Sequence, residues 1–300
     1  MNPSKNSTII GKPFLKWAGG KSQLINFLQN TLPKNFDVFD TYIEPFVGGG
    51  AFTFFILTNY PNLKKIVIND INTDLISAYV TIKNQPVELI KALLTLQEEY
   101  LALSNEQRKD YFLSKRELFN KKTNSTIDNT ALLIFLNRTC FNGLYRVNSK
   151  NQFNVPFGKY VNPKICDERT ILHNSILMQK VTILNNDYSE IKKHIEGKTF
   201  VYFDPPYKPI SKTSSFNSYN SNVFNDNEQI RLCNFCKDLN NIGVFWLLSN
   251  SDPKNTEANN GFFDDLYEDF IIKRIPAKRL INSKVGNRSE INELLISNYE

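Results

Sequence analysis

The chain of 300 residues is long enough to bury a full core, and 41% hydrophobic with 22% charged residues is ordinary globular composition. Disordered and fibrous classes are therefore excluded. The formal net charge of +6 suits a polyanionic partner, but many proteins without such a partner share it, so charge alone assigns no function.

Strand-like and helical stretches alternate through the first 80 residues. The strand-like runs are "TYIEPFVG" (41–48) and "KKIVIND" (64–70), and the helical runs are "KSQLINFLQN" (21–30) and "AFTFFILTNY" (51–60). This alternation is typical of a parallel sheet covered by helices.

The alternation of strand-like and helical stretches stops in the middle of the chain and resumes later. Long helical stretches fill about 84–138, and a polar stretch rich in Gly and Asn follows at 137–160. After about 168 the first rhythm resumes, with "KVTILNND", "TFVYFDPPY", a helix over 226–240, "GVFWLLSNS" and "INELLISNY". We predict one α/β domain formed by 1–80 and 168–300, with a helical module at 81–167 inserted into it.

The four cysteines are too sparse for a disulfide framework, which favours a reducing compartment. Cys233 and Cys236 form a CxxC, but the apolar residues around them recur with helical spacing and no second pair of ligands accompanies them. We therefore predict core-facing thiols and no metal site. The first ten residues lack a signal peptide's apolar run and nothing approaches a transmembrane span, so we expect a cytoplasmic protein with no membrane partner.

Glycines and acids follow the first two strands. Gly48, Gly49 and Gly50 lie between a strand and a helix, where they permit a tight turn and a ligand's close approach to the backbone. Asp70 ends the next strand, at a position suited to accept hydrogen bonds from ribose hydroxyls. The alternatives are an ordinary turn for the glycines and a helix cap for Asp70 and Asn72.

The stretch "VYFDPPY" (201–207) ends a later strand with a carboxylate, two prolines and an aromatic ring. Prolines donate no backbone hydrogen bond, so the chain leaves the sheet at Pro205 with carbonyl groups that the strands do not pair. Asp204, these carbonyl groups and the ring of Tyr207 together match a planar amine, with two acceptors for its N–H bonds and a face to stack on. A rigid turn capped by Asp204 is the alternative.

Seven motifs in series carry a family resemblance over nearly the whole chain. They are "PFLKWAGGKSQL" (13–24), "EPFVGGGAF" (44–52), "NDINTDLI" (69–76), "LNRTCFNGLYRVN" (136–148), "FNVPFGKY" (153–160), "YFDPPY" (202–207) and "LSNS" (248–251). In this order they resemble the Dam-type DNA adenine-N6 methyltransferases, the D12 class or alpha group. The resemblance implies a Rossmann-like methyltransferase fold with a mostly parallel seven-stranded sheet and an inserted target-recognition domain at 81–167.

The resemblance implies S-adenosylmethionine as cofactor. It implies cofactor contacts for Trp17, Lys21, Phe46, Gly48, Gly50, Asp70, Asp187, Tyr188 and Asp204. Asp70 would meet the ribose, whereas Asp187 and Tyr188 would border the adenine ring. Without the resemblance, a buried core aromatic would explain Trp17 and a solvated helix start would explain Lys21.

The catalytic residues implied by the same resemblance are Asp204, Pro205, Pro206 and Tyr207. The target adenine would leave the duplex and stack on Tyr207, since its N6 is otherwise paired. Asp204 and the Pro205 carbonyl would then accept the N6 hydrogens and direct the nitrogen lone pair at the methyl group. Such a reaction needs positioning and electrostatics and no metal.

The resemblance assigns DNA recognition to the polar stretch of the inserted module. Phe141 would wedge into the base stack, Arg146 would read guanine, Leu144 and Pro156 would contact neighbouring bases, and Asn142 would lie near phosphate. The family often has tyrosine at the wedge position, so phenylalanine keeps the stacking and loses a hydroxyl. The alternatives are packing in a small core for Phe141 and Leu144, and a surface charge for Arg146.

Two further stretches have compositions suited to DNA. The segment 211–224 is polar with scattered aromatics, as in a mobile loop that closes over DNA, and the basic segment 273–288 is expected to meet phosphate. The expected site on double-stranded DNA is GATC, with other sites that start with GA remaining open. A cytosine-N4 or RNA methyltransferase and a catalytically idle DNA-binding relative are the alternative functions, and a cognate restriction endonuclease acting separately is a candidate partner.

Overall fold

The computed structural model describes residues 9–17, 19, 21–207, 224–278 and 290–300. Within them the strands are β1 (Thr41–Glu44), β2 (Lys65–Asn69), β3 (Val181–Leu184), β4 (Thr199–Phe203), β5 (Phe245–Ser251), β6 (Ile271–Lys278) and β7 (Glu290–Ser297). They form one seven-stranded sheet with the order β3-β2-β1-β4-β5-β7-β6.

The sheet is mostly parallel around its centre. β1 pairs in parallel with β2 and β4, and β4 pairs in parallel with β5. β7 is antiparallel to both of its neighbours, β5 and β6. The predicted α/β class with a mostly parallel seven-stranded sheet is confirmed.

Helices occupy the predicted stretches, and two further helices, Glu168–Met178 and Phe262–Leu266, were not predicted. They are α1 (Ile25–Thr31), α2 (Ala51–Asn59), α3 (Thr73–Asn84), α4 (Pro86–Ala102), α5 (Asn105–Lys121), α6 (Thr126–Thr139), α7 (Glu168–Met178), α8 (Asp226–Asn241) and α9 (Phe262–Leu266). Short 3-10 helices cover Lys21–Gln23, Phe36–Val38, Phe141–Gly143, Tyr188–His194 and Pro253–Asn255.

The chain divides into two compact units. The first contains the described residues of 1–21, 48–61 and 70–185, and the second contains those of 22–47, 62–69 and 186–300. These boundaries differ from those of the predicted functional domains, and the assignment of 81–167 to target recognition stays a prediction.

The first unit is built around α6. Its stretch "TALLIFLN" is buried on all sides, because α3, α4 and α5 pack against it. α5 begins with a capping box in which the Ser104 hydroxyl accepts from the Gln107 backbone and the Gln107 side chain accepts from the Ser104 backbone. This unit therefore holds the helical stretches rich in Leu, Glu and Lys.

The second unit has β4 at its centre. Every residue of "TFVYF" is buried, as expected for a central parallel strand covered on both faces. Cys233 and Cys236 on α8 are fully buried, so the prediction of core-facing thiols is confirmed. Burial raises the pKa of the Cys233 thiol to about 11, which keeps it protonated.

Some predictions concern residues outside the described part. The predicted closing loop, apart from Phe224, and most of the basic segment 273–288 lie there. No helix in the described ranges is both long and apolar enough to cross a membrane. The same ranges contain no group of three or more His, Cys, Asp or Glu side chains arranged to hold a metal ion.

Candidate active site

The predicted catalytic acid lies at the carboxyl end of the central strand. β4 ends at Phe203, and Asp204 follows it directly. The Asp204 Oδ1 atom accepts a hydrogen bond of 3.0 Å from the Ser249 hydroxyl on β5, which also lies 2.9 Å from the Tyr202 hydroxyl. A short buried network on two adjacent strands thus fixes the carboxylate rotamer.

The two prolines that follow are anchored by α8. Gln229, which is completely buried, donates from Nε2 to the Pro206 carbonyl at 3.2 Å and accepts at Oε1 from Asn250 Nδ2 at 3.2 Å. Hence a helix does bind one carbonyl that the sequence left unpaired. Among the described residues none donates a hydrogen bond to the Pro205 carbonyl, which therefore remains available as an acceptor.

Tyr207 is held by a residue 86 positions later in the sequence. Its hydroxyl donates to Glu293 Oε2 on β7 at 2.7 Å. Burial, together with the nearby negative charges of Asp204 and Glu293, raises the pKa of the Tyr207 hydroxyl well above its usual value, so the hydroxyl stays a donor. The bond fixes the ring that the sequence assigns to stacking on the target base.

Aromatic rings cluster around another predicted pair in the second unit. Phe46 packs against Tyr188 with 5.2 Å between ring centroids, and Phe224 lies edge-on to Phe46 at 5.7 Å. The Arg231 guanidinium covers the Tyr188 ring at 4.7 Å from its centroid. Phe46 and Tyr188, both predicted to contact the cofactor, are thus brought together.

Arg231 also forms a two-pronged ion pair with Asp187, with nitrogen to oxygen distances of 2.6 and 3.1 Å. Burial raises the pKa of Asp187, but hydrogen bonds from Arg231 and Ser189 outweigh it and the net pKa is lowered. Asp187 therefore stays ionised and holds Arg231 over the aromatic cluster.

In the first unit, Asp70 is bonded to the glycine turn. Its Oδ2 accepts from the Gly48 backbone at 3.0 Å, and its Oδ1 accepts from the Asn72 backbone at 2.9 Å. Burial raises the pKa of Asp70, opposed by these N–H groups. The helix cap itself is Asn72, whose side chain accepts from Leu75 at 3.0 Å. Asp70 therefore stabilises the glycine turn, and Asn72 caps the helix.

The glycine turn has the backbone that its sequence predicts. Gly48 and Gly50 have φ values of 47° and 69°, in the left-handed region that favours glycine. A Cβ at Gly50 would lie 2.3 Å from the Tyr79 hydroxyl, and a Cβ at Gly48 would lie 3.0 Å from Trp17. The absence of side chains at Gly48 and Gly50 lets Trp17 and Tyr79 approach the turn.

The environments of Trp17 and Lys21 differ from the alternatives of a buried core aromatic and a solvated helix start. Trp17 is only partly buried, and its indole stacks on Tyr145 with 5.0 Å between centroids. Lys21 is only 4% exposed and donates to the Gly19 carbonyl at 3.1 Å, so it is not a solvated helix start. Both residues stay predicted cofactor contacts.

The five predicted DNA contacts lie in one hairpin, residues 140–157, closed by antiparallel bridges between Cys140 and Phe157 and between Val147 and Phe153. The Phe141 side chain is 53% exposed, which excludes core packing for it. The Phe141 backbone donates to the Pro156 carbonyl at 2.8 Å and brings these two predicted contacts together.

The other predicted contacts follow Phe141 along the hairpin. Asn142 is exposed with a left-handed φ of 55°, and Leu144 is partly buried. Arg146 is exposed and donates from Nε to Asn154 Oδ1 at 2.8 Å across the hairpin. Arg146 also donates from Nη2 to the Asn154 carbonyl at 3.4 Å, so two bonds to Asn154 orient the guanidinium.

Several residues that support the predicted positions escaped prediction from sequence. Gln229, Glu293 and Arg231 act through partners distant in the chain. Ser249, Asn154 and Tyr145 lie in motifs quoted for the resemblance but received no role there. Only Asn154 had a local signal, since the Asn-rich stretch with a central turn predicts pairing across a hairpin.

Comparison with known proteins gives the class. The family described as D12 class N6 adenine-specific DNA methyltransferase matches residues 17–281. The Type II methyltransferase M.MjaIII of Methanocaldococcus jannaschii is 48% identical over 293 residues, covering 96% of this chain and 99% of the relative.

Two further relatives agree. The Type II methyltransferase M1.LlaDCHI of Lactococcus lactis subsp. cremoris is 38% identical, covering 100% of this chain and 99% of the relative. The DNA adenine methylase of Escherichia coli K12 is 31% identical, covering 95% of this chain and 94% of the relative. The chain belongs to the D12 class of N6 adenine-specific DNA methyltransferases, and its substrate is DNA.

Proposed function

We propose that the protein transfers the methyl group of S-adenosylmethionine to N6 of an adenine flipped out of duplex DNA, within GATC. One observation carries the proposal: the Asp204 carboxylate, bonded to Ser249 at the end of the central strand, precedes two prolines and an anchored tyrosine. This arrangement presents acceptors and an aromatic face to a planar amine.

The residues present fit S-adenosylmethionine. The backbone at Gly48 carries no side chain, and the Asp70 carboxylate beside it is an acceptor suited to a ribose hydroxyl. Phe46 and Tyr188 offer aromatic faces to an adenine ring. When bound, this cofactor supplies a methyl group on a positively charged sulfur, which a nitrogen lone pair can attack directly.

The catalytic residues act on the amine of the target base. Asp204 and the Pro205 carbonyl each accept a hydrogen bond from one N6–H group, which takes the nitrogen lone pair out of conjugation with the ring. Tyr207 holds the base plane by stacking, and its bond to Glu293 prevents rotation of the phenol. After methylation N6 carries a positive charge, and it then releases one of its two protons to the Asp204 carboxylate or to solvent. Positioning and fixed charges therefore supply the catalysis.

The hairpin 140–157 supports reading of DNA. Phe141 exposes an aromatic face that can enter the gap left by a flipped base. Arg146, oriented by Asn154, presents two donors spaced for guanine N7 and O6. We assign 81–167 to target recognition on this basis, with GATC ahead of other sites that start with GA.

The biological setting is proposed from the substrate and the relatives. Two relatives, at 48% and 38% identity, carry type II methyltransferase names, which supports a cognate restriction endonuclease that acts separately on the same site. DNA as substrate implies action in the cytoplasm, where the DNA lies.

The decisive experiment identifies the methylated base. The protein is incubated with S-adenosylmethionine labelled in the methyl group and with duplex DNA containing one GATC, and the DNA is digested to nucleosides. We expect all label in N6-methyladenine. Label in N4-methylcytosine, label only in an RNA substrate, or no label with any substrate would each overturn the proposal.

Asp204→Ala tests the catalytic assignment in the same assay. We expect methyl transfer to be abolished while DNA affinity is largely kept, since the carboxylate acts only when the flipped base is in place. Asp110→Ala, which removes an exposed carboxylate on α5, is the matched control and should keep full activity. A rate for Asp204→Ala within about tenfold of the wild-type rate would make Asp204 a turn residue only.

A further inference from the structure

Tyr145 connects two parts of the proposed site that have separate roles. It stands between Leu144 and Arg146 in the hairpin 140–157, but its main ring contact lies outside the hairpin. The ring stacks on Trp17, with centroids 5.0 Å apart and an interplanar angle of 21°. A residue of the base-reading hairpin thus forms one wall of the environment of Trp17.

The Tyr145 ring is fixed at its far end as well. Its hydroxyl donates to Asp74 Oδ2 at 3.2 Å, and Asp74 is held by Lys122 Nζ at 2.6 and 2.7 Å. Burial raises the pKa of Tyr145, so its hydroxyl remains a donor. Rotation of the ring away from Trp17 would break the hydrogen bond to a carboxylate that α3 carries.

Trp17 in turn contacts the glycine turn. A Cβ at Gly48 would lie 3.0 Å from the Trp17 ring, and a Cβ at Gly49 would lie 3.0 Å from Trp17 Cβ. Trp17 therefore lies in contact with Tyr145 on one part of its surface and with the turn on another. Because protein interiors are close-packed, a shift of the Tyr145 ring either moves the Trp17 ring as well or leaves a cavity between the two rings.

A second link joins the same two segments. The buried Asn137 side chain accepts from the Lys16 backbone at 2.9 Å, donates to the Lys16 carbonyl at 2.9 Å and donates to the Gly143 carbonyl at 2.9 Å. One amide thus ties the residue before Trp17 to the hairpin. The two segments are held as one piece at their bases, and Tyr145 is the contact nearest to Arg146.

We infer that Tyr145 is a positioning residue that couples recognition of the DNA site by Arg146 to cofactor binding beside Trp17. The inference rests on the proposed function of those two residues. When the hairpin closes on its site, Tyr145 presses Trp17 toward the glycine turn and tightens the cofactor site. Coupling of this kind is reciprocal, so the cofactor must tighten binding of the cognate site by the same factor.

The test measures this coupling directly. The dissociation constant of S-adenosylmethionine is determined by calorimetry with and without a GATC duplex, for wild type, Tyr145→Leu and Tyr145→Phe. Typical coupling factors are roughly 5- to 150-fold. We expect the wild-type protein to lie in that range and Tyr145→Phe to stay within about threefold of it because the stack remains. The coupling factor of Tyr145→Leu should fall toward one, because the stack and the hydroxyl are gone and only the link through Asn137 remains.

Tyr111→Ala is the control for a merely structural effect. Tyr111 is a partly buried tyrosine of the same unit that bonds Glu99 and packs on Phe135, without contact to Trp17. Its loss should leave the coupling factor unchanged. Equal coupling factors in wild type and Tyr145→Leu would overturn the inference while the proposed function stands, whereas a wild-type protein that binds neither ligand would contradict the proposed function itself.

Fluorescence gives an independent reading that needs no change at Tyr145. The chain has two tryptophans, Trp17 and the fully buried Trp246. In a Trp246→Phe background the emission reports Trp17 alone. We expect a GATC duplex to shift this emission in the absence of cofactor, and a duplex changed at the first base pair to shift it less. Identical emission with and without bound GATC duplex would refute the inference.

Discussion

Gln229→Leu tests whether α8 positions the catalytic stretch. Gln229 is completely buried, donates to the Pro206 carbonyl and accepts from Asn250, each at 3.2 Å. Leucine has similar volume and helix propensity, so the change removes the amide with little disturbance of α8.

The magnitude follows from two lost hydrogen bonds. At about 0.5–1.5 kcal/mol net for each bond, the free energy of unfolding should fall by about 1–3 kcal/mol. The rate of methyl transfer should fall by more than the free energy of one hydrogen bond would predict. Pro206 adjoins both the Pro205 carbonyl and Tyr207, and a displacement of about 1 Å at reacting groups can cost roughly a hundredfold in rate. We expect the turnover rate to fall by about 10- to 100-fold.

Single-turnover methylation of a GATC duplex, with cofactor and DNA saturating, measures the effect. Cofactor affinity should stay within about threefold of wild type. Gln179→Leu is the matched control, because Gln179 also makes two side-chain hydrogen bonds, to Lys83 and Ser175, but is exposed at the end of α7. A Gln229→Leu rate within about threefold of the control, in a folded protein, would show that Pro206 is positioned without the amide.

Four further predictions concern the site. Asp70→Asn should weaken cofactor binding by roughly 10- to 150-fold, because a charged acceptor is worth about 1.5–3 kcal/mol; unchanged calorimetric affinity would remove Asp70 from the site. Burial raises the pKa of Asp70, so acidification should weaken cofactor binding by the wild-type protein at a higher pH than for an ordinary aspartate. The same raised pKa makes part of the free energy of unfolding fall as pH rises through it, and this part should be absent in Asp70→Asn. Identical pH profiles for the two proteins would contradict the prediction. Arg146→Ala should lower kcat/KM on GATC by the equivalent of about 1–3 kcal/mol of transition-state stabilisation and narrow the preference for the first base pair. Asn154→Ala should have an intermediate effect. A preserved preference, together with a slope of affinity against salt reduced by about one unit, would make Arg146 a phosphate contact. Ser249→Ala should lower the single-turnover rate without changing DNA affinity; an unchanged rate would show that Asp204 keeps its rotamer unaided.

Local sequence was sufficient for most elements of this fold, but it did not predict the strand Ile271–Lys278 or the helices Glu168–Met178 and Phe262–Leu266. α4 begins at Pro86, as a proline at the first helical position predicts, and β4 ends directly before the Asp204 to Tyr207 stretch. The helix around Cys233 and Cys236 was predicted from its apolar spacing and extends over Asp226–Asn241. In these cases the pattern within about ten residues decides the structure.

The supporting contacts of the site could not be predicted in this way. Glu293 meets Tyr207 only because β7 lies between β5 and β6, an order that no local pattern specifies. Tyr145 has the spacing of any aromatic in a hairpin, and its partner Trp17 lies 128 positions earlier in the numbered sequence (145 − 17). Such contacts depend on how distant segments pack, which a single sequence does not encode in any short window.

The position of β7 has a consequence for the order in which the enzyme becomes functional during synthesis. β5 and β6 leave the ribosome before β7, yet they are not neighbours of each other, since β7 lies between them. Until residues 290–297 are made, this edge of the sheet has an unfilled gap and the Tyr207 hydroxyl lacks its carboxylate anchor. A growing chain therefore carries the whole "DPPY" stretch for some eighty residues before the hydrogen bond that anchors the Tyr207 hydroxyl can form.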